Sequence, residues 1–298
     1  MGGSMNLLVL LGDAVTMMTP LLFAALGGLF TELSGTLNIA LEGLMMIGAF
    51  AGVVAAAQSG SLLVGVAAGM AAGMAAALLY GLVSLKLKAN EFIAGLATNL
   101  FAAGLTVVVS EQVYKTKGVV PFDIPALPQL SSPFLRGIPV LGELLFRHDV
   151  LVYASWAAVG LAWLFIYKTP AGMRLRATGS SPKAIASLGL KADRYRLGAI
   201  LASGAACGIA GCHLSFRLAA YVPNVSSGRG WIALVAIYLG GRKPVGILAA
   251  CLLFAGAESF SNFAQGFLEV PPDFILALPY IVTLAALITG ALVRKLRG

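Results

Sequence analysis

Gly172-Met-Arg-Leu-Arg-Ala-Thr-Gly-Ser-Ser-Pro-Lys-Ala-Ile-Ala-Ser-Leu-Gly-Leu190 is the most polar and most basic stretch of a chain that is otherwise nearly continuous apolar sequence. Apolar runs long enough to cross a bilayer flank it on both sides, so it reads as a soluble loop between two membrane spans. It carries Arg174, Arg176 and Lys183, and Lys191, Arg194 and Arg196 follow, against one acid, Asp193. Short loops rich in Lys and Arg stay on the cytoplasmic side. Ser180-Ser181 before Pro182 has the chemistry of a helix start: a serine cap, then proline where a helix has no use for its N–H. A short cytoplasmic helix running from Pro182 through Ile185 to Leu188 is expected. From the loop alone two readings stay open, a positive anchor that only sets orientation and a helix on which a partner docks.

The composition agrees. The chain is 59% hydrophobic and 11% charged, where a soluble domain carries about 25% charge. The net charge of +8 is no nucleic-acid signal, because the basic residues sit in loops beside spans. No basic residue precedes Lys86, so a cleaved signal peptide is not expected. Cys207, Cys212 and Cys251 fall inside apolar runs without zinc or redox spacing and read as small buried hydrophobes.

Working outward, spans are expected at 7–30, 39–57, 62–85, 92–109, 150–167, 197–216, 245–260 and 274–293. A proline-rich loop, 114–147, separates the fourth and fifth. Tyr221-Val-Pro-Asn-Val-Ser-Ser-Gly-Arg-Gly230 is irregular, and the apolar run after it, 231–239, covers only about 14 Å of a core about 30 Å thick. That pattern is a broken pass, unwound backbone followed by a half-helix. Crossing once is preferred over re-entry, because it leaves 241–244 and the basic tail 294–297 on the cytoplasmic side with 86–90 and 172–196. The expected fold is therefore an all-α polytopic membrane protein of about nine passes. It forms a single domain over residues 1–298, with the N-terminus outside and the C-terminus cytoplasmic. Gly65, Gly69 and Gly73, and Gly204, Gly208 and Gly211, mark helices that approach closely.

Catalytic chemistry is absent from the pattern. No His/Cys/Asp/Glu cluster has metal-ligand spacing, no nucleophile stands out, and no Gly-x4-Gly-Lys-Ser/Thr loop is present to hold ATP. His148 beside Asp149 is not a dyad by virtue of adjacency. His213, alone in a span, reads first as a hydrogen-bonded packing residue. Polar groups inside spans carry more information, since in lipid they face the bundle interior or a cavity. Asn38 and Glu42 are expected one turn apart on one helix face. Glu42 and Glu91 suit helix capping and bundle ties. Asn99, and Asn262 with Phe263, suit either packing or a polar and aromatic path for a solute. The candidate pathway set is thus Asn38, Glu42, Asn99, Asn262 and Phe263. Glu42 and Glu258 are expected near opposite faces, which disfavours an ion-coupled secondary transporter with one midplane relay.

Thr31-Glu-Leu-Ser-Gly-Thr-Leu-Asn-Ile-Ala-Leu-Glu-Gly-Leu-Met-Met-Ile-Gly-Ala-Phe50 resembles the signature of permease subunits of ABC importers. The branch is the one carrying branched-chain amino acids, simple sugars and nucleosides. Asn90–Asn99, the 172–190 loop and Gly228–Pro244 fit in the same order, so the resemblance covers nearly the whole chain. Asn38–Gly43 and Asn90-Glu91 are most similar to nucleoside-type members, including the riboflavin importers of spirochaetes. One departure is Glu32-Leu33, where the family often has Glu-Arg, which puts an ionic role there in doubt.

The resemblance implies a bacterial inner-membrane permease that forms half of a pathway with a second permease, often a different chain. It implies two cytoplasmic ATPases or one fused ATPase, which bind the ATP and magnesium, and a periplasmic or lipoprotein receptor that delivers the solute. It also implies that the basic loop is the helix gripped by the ATPase. Arg174, Arg176, Ser180, Ser181, Pro182, Lys183, Ile185 and Leu188 are the expected coupling residues.

Overall fold

The computed structural model describes residues 7–129, 148–265 and 281. The expected final span and basic tail, and most of the proline-rich loop, lie outside the described residues. Apolar runs became helices: α1 (Leu7–Leu33), α2 (Leu41–Ser59), α3 (Leu62–Gly81), α4 (Glu91–Tyr114) and α5 (Val150–Lys168). Two short helices follow, α6 (Pro170–Ser180) and α7 (Pro182–Ser187), then α8 (Ala192–Leu218), α9 (Arg229–Leu239) and α10 (Pro244–Ala264). α3 runs on through a π-helical turn to Lys86. Among the described residues, seven helices are long and apolar enough to cross a membrane, and α9 is not.

Local chemistry sets the ends. Asn90 accepts hydrogen bonds from the Phe92 and Ile93 amides at the start of α4, and Asp149 does the same for Leu151 and Val152 at α5. Thr169 caps α6 through the Gly172 amide, with Pro170 in its first turn. The sequence reading missed this helix, treating 169–181 as loop. At α7 the proline start is as expected, but the Ser181 side chain makes no capping bond; its carbonyl accepts from Ala184 instead.

The bundle has two ends. One, the basic face, gathers the end of α1, residues 86–90, α6, α7, the start of α8 and the α9–α10 turn. At the other end, β1 (Val120–Pro121) pairs antiparallel with β2 (Ala220–Tyr221), tying the loop after α4 to the chain after α8.

The centre is a seam of glycines between α2, α3 and α8. A Cβ on Gly208 would lie 2.3 Å from the Gly69 carbonyl oxygen, and one on Gly73 would lie 2.3 Å from that of Gly204. The Cys212 thiol fills the gap between Gly52 and Gly69, so the buried-hydrophobe reading of this cysteine fits. Lipid offers no hydrophobic drive between helices, so this backbone contact supplies the packing.

The chain between α1 and α2 does not match the sequence reading. Asn38 and Glu42 do not share a helix face, because α2 begins only at Leu41. Residues 34–40 instead thread into the bundle as irregular backbone, which survives at depth only if its polar groups are paired. Glu91 accepts from the Leu37 amide at 2.7 Å, and the Tyr80 hydroxyl donates to the Leu37 carbonyl at 2.7 Å. Asn38 accepts from the Ala40 amide and donates to Ser203 Oγ at 3.0 Å. Asn99 accepts from the Gly43 amide at 2.7 Å and donates to the Ile39 carbonyl at 2.9 Å.

Gly208→Val places branched carbons where α3 backbone now sits. The expected outcome is loss of the monodisperse, inserted protein, read by fluorescence-detected gel filtration in detergent. Gly256→Ala, where a Cβ meets nothing within 4 Å, is expected to elute as wild type.

Candidate functional site

The broken pass is the most unusual element. After α8 the backbone turns through positive φ at Ala219, Asn224, Ser227 and Gly228, then enters α9. That helix has eleven residues, a rise of roughly 16 Å, about half the membrane core. Its far end is at the basic face. There Tyr238 donates to Glu32 at 3.0 Å and Arg242 pairs with Glu32 at 2.9 Å. The ionic partner that Glu32-Leu33 lacks in sequence is thus supplied by Arg242.

The near end of α9 starts inside the bundle, with Ser226 and Gly230 buried. The Glu42 carboxylate meets them. One oxygen accepts from Ser226 Oγ at 2.6 Å and the Gly228 amide at 2.7 Å, and the other from the Gly230 amide at 2.6 Å. A helix N-terminus is the place where backbone dipoles favour a negative charge. Gly230 is required, because a Cβ there would lie 2.4 Å from the Glu42 nitrogen. Between the two glycines, Arg229 forms an ion pair with Glu258. Glu42 and Glu258 therefore do not sit near opposite faces as the sequence suggested. Three consecutive residues, 228–230, hold both, because α9 begins at mid-depth rather than at a surface.

At the basic face, α6 and α7 lie across the ends of the long helices. Ile185 and Leu175 are buried, whereas Lys183, Ser187 and Leu188 are exposed, Leu188 by 72%. Of the expected coupling residues, Ile185 is thus the anchor and Leu188 the apolar group on the outer surface. Arg174, Ser180, Ser181 and Pro182 are exposed as well. Arg176 is half-buried and lies over the Tyr167 ring at 5.1 Å. Gly179 packs directly on the 34–40 segment; a Cβ there would meet the Gly35 nitrogen at 2.9 Å, and the Leu33 carbonyl oxygen just before it at 2.3 Å.

The opposite face carries a cavity of about 610 Å³ lined in part by Asp13, Thr16, His148, Asp149 and Arg217. Thr16 Oγ1 lies 3.3 Å from His148 Nδ1, and Asp149 Oδ2 lies 3.3 Å from His213 Nε2. His148 and Asp149 are therefore not each other's partners; His213 is buried and meets Asp149 instead. Burial alone would raise the Asp149 carboxyl. Its hydrogen bond to His213, the charges of His213 and Arg217 and the Val152 amide outweigh burial and hold it below the ordinary carboxylate value. Among the described residues no group of three His, Cys, Asp or Glu could hold a metal ion.

The profile of the branched-chain amino acid transport system / permease component family matches residues 10–287. The chain belongs to this permease family. It is 34% identical to the guanosine ABC transporter permease protein NupQ of Bacillus subtilis, over 90% of this chain and 87% of that one. It is 30% identical to the nucleoside ABC transporter permease protein NupC of Lactococcus lactis, over 95% and 92%. A Haloferax volcanii permease named for glucose, TsgC13, is 31% identical over 90% and 82%. Among solved structures, PsaBC of Streptococcus pneumoniae superposes with a TM-score of 0.55 at 10% identity, over 92% of this chain and 89% of that one. That likeness shows the fold alone.

Within this ABC permease the five candidate pathway residues separate into two groups. Asn38, Glu42 and Asn99 converge on the 38–43 turn, where their polar atoms are used by backbone and neighbouring side chains. Asn262 and Phe263 lie elsewhere, one turn beyond Glu258 on α10, with Asn262 exposed and its Nδ2 at 3.8 Å from Met17 Sδ. Sequence reasoning missed Ser226, Arg229, Ser203 and Arg242. Arg229 was detectable, since an arginine between two glycines at the head of an apolar half-helix needs a buried counter-charge.

Asn99→Leu strips partners from the Gly43 amide and the Ile39 carbonyl, each loss costing about 1–3 kcal/mol. The expected outcome is a lower melting temperature in detergent, with uptake falling in proportion to folded protein and KM unchanged. A raised KM at unchanged melting temperature would put Asn99 on the solute pathway instead.

Proposed function

We propose that this chain is one permease half of a nucleoside importer of the bacterial inner membrane, driven by separate ATPases and supplied by an external receptor. The observation that carries the substrate is the 34% and 30% identity to permeases named for guanosine and nucleosides, over nine-tenths of the chain or more. Orientation follows from charge: the face holding residues 86–90, 170–196 and 240–243 is cytoplasmic and the β1–β2 face is external. On that reading the N-terminus is outside, the C-terminus is inside and the passes number about nine. On that reading ATP hydrolysis belongs to the separate ATPases.

The exposed edge of α7, Lys183 and Leu188, is the surface an ATPase grips. Buried Ile185 makes that edge part of the bundle rather than a loose loop. A push on α6–α7 passes through the Gly179 contact to residues 34–40, and from there to Glu42 and the head of α9. This is a rigid-body route, since each link is a backbone contact or a charge-assisted hydrogen bond.

A second reading, sugar import, is supported by the 31% identity to the permease named for glucose. Uptake by cells expressing the chain with its partner subunits separates them. Labelled guanosine is expected to accumulate, to be displaced by unlabelled nucleosides and not by glucose or riboflavin, and to stop when ATP is depleted. Leu188→Glu is expected to cut uptake at least tenfold while leaving the amount of inserted protein unchanged. Displacement by glucose would favour the sugar reading; uptake that survives ATP depletion and collapses with the ion gradient would favour a secondary transporter.

A further inference from the structure

A cavity of about 350 Å³ lies at the basic face between the ends of α1 and α5, α6 and the start of α8. Its walls are apolar. Phe30 and Phe165 meet edge to face there at 5.6 Å, and Leu175 of α6 and Ala199 of α8 are buried beneath it. Gly198 and Ala202, one turn apart on α8, are exposed, so the cavity is an open groove. Its depth follows from the helix ends. Phe30 and Phe165 each sit one turn before the end of their helix, and Arg194 and Tyr195 lie in the first turn of α8. From Arg194 to Ala202 that helix rises about 12 Å. The groove therefore starts at the membrane–water boundary and runs along α8 into the apolar layer.

The charge at its outer end is unbalanced. Arg194 is exposed and forms no ion pair among the described residues, since Asp193 beside it meets Arg196. Two more cations stand on the α5–α6 flank, each held over a ring: Lys168 over Trp163 at 5.6 Å and Arg176 over Tyr167 at 5.1 Å. Tryptophan and tyrosine gather at the level of lipid headgroups. A protein helix laid into the groove would bury Arg194 among these cations and would have to bring its own carboxylate. A phospholipid supplies both parts that the groove lacks. Its phosphate accepts charge-assisted hydrogen bonds from a guanidinium, and its acyl chain covers the apolar wall. Anionic headgroups are drawn to basic segments beside cytoplasmic helix ends.

We propose that this groove is a binding site for an anionic phospholipid of the cytoplasmic leaflet. One acyl chain lies along Gly198 and Ala202, and the phosphate sits on Arg194. The assignment rests on the membrane orientation given above and is independent of which solute the importer carries.

Native mass spectrometry of the complete importer tests it, with phosphatidylglycerol or phosphatidylcholine of matched chains added to delipidated protein in detergent. Wild type is expected to bind phosphatidylglycerol about fivefold more tightly and Arg194→Gln to lose that preference, one basic group beside a headgroup contributing roughly this factor. Gly198→Leu fills the groove at a position where a Cβ meets nothing within 4 Å, and is expected to remove the tight site for both lipids. Equal affinity for the two lipids in wild type, or a wild-type lipid count in Gly198→Leu, would overturn the site. Displacement of the lipid by inorganic phosphate would show that Arg194 holds a soluble anion, and would overturn it as well. So would loss of the second permease from the Gly198→Leu complex, since the groove would then be a contact between subunits. If Gly198→Leu fails to insert, Arg194→Gln, a change at an exposed side chain, decides alone.

Discussion

A helix that begins halfway through a membrane needs partners for amides that water would otherwise satisfy, and in this protein one carboxylate provides them. Glu42 accepts from the Gly228 and Gly230 amides and from the Ser226 hydroxyl. An unpaired charge at this depth is costly, and so is an uncapped helix end. Joined, each removes the other's cost. Much of the local chemistry follows from this contact. Gly230 must lack a side chain for Glu42 to come close. Arg229, carried into the bundle between two bonded amides, needs Glu258.

Glu42 reaches this position because its own helix also starts late. Residues 34–40 enter the bundle unwound, with Tyr80, Glu91, Asn99 and Ser203 taking up their polar groups. Two broken segments therefore meet at one depth, and the glycine seam of α2, α3 and α8 holds the helices around them at backbone contact. The result is a rigid frame with a discontinuity at its centre. A permease needs such a combination, because irregular backbone in a membrane is tolerated where protein or a cavity can solvate it. Helices α6 and α7 lie against one of these segments through Gly179, so a force applied at the basic face has a short route to the discontinuity.

Much of this was legible in the sequence. Long apolar runs gave the spans, the tyrosine-to-glycine stretch 221–230 gave the broken pass, and Pro182 gave the start of α7. Gly65, Gly69 and Gly73, with Gly204 and Gly208, gave both sides of the α3–α8 seam. The pairings were not legible, because local pattern says nothing about which distant groups meet. Asn38 and Glu42 looked like one helix face from their four-residue spacing, yet the helix starts between them. Glu42 and Glu258 looked far apart because each lies near the end of its own apolar run. Sequence depth and spatial depth diverge wherever a pass is broken. The α6 helix did leave a signal, Thr169 before Pro170, a cap and a first-turn proline that the basic charge of the stretch overshadowed. The candidate site was legible in its parts, Glu42 and Asn99, and hidden in its centre, since Arg229 and Ser226 sit in segments with no periodicity.

Amide hydrogen exchange of residues 226–231 in lipid nanodiscs, compared between the wild type and Glu42→Ala, is the most direct test of the contact at the centre. With Glu42 present, the Gly228 and Gly230 amides are expected to exchange slowly despite belonging to the first turn of a short helix. With alanine they are expected to exchange at least a hundredfold faster, while the α2–α3–α8 seam stays protected. Equal protection at both glycines in the two proteins would show that something other than the Glu42 carboxylate supports the half-helix, and would contradict the account.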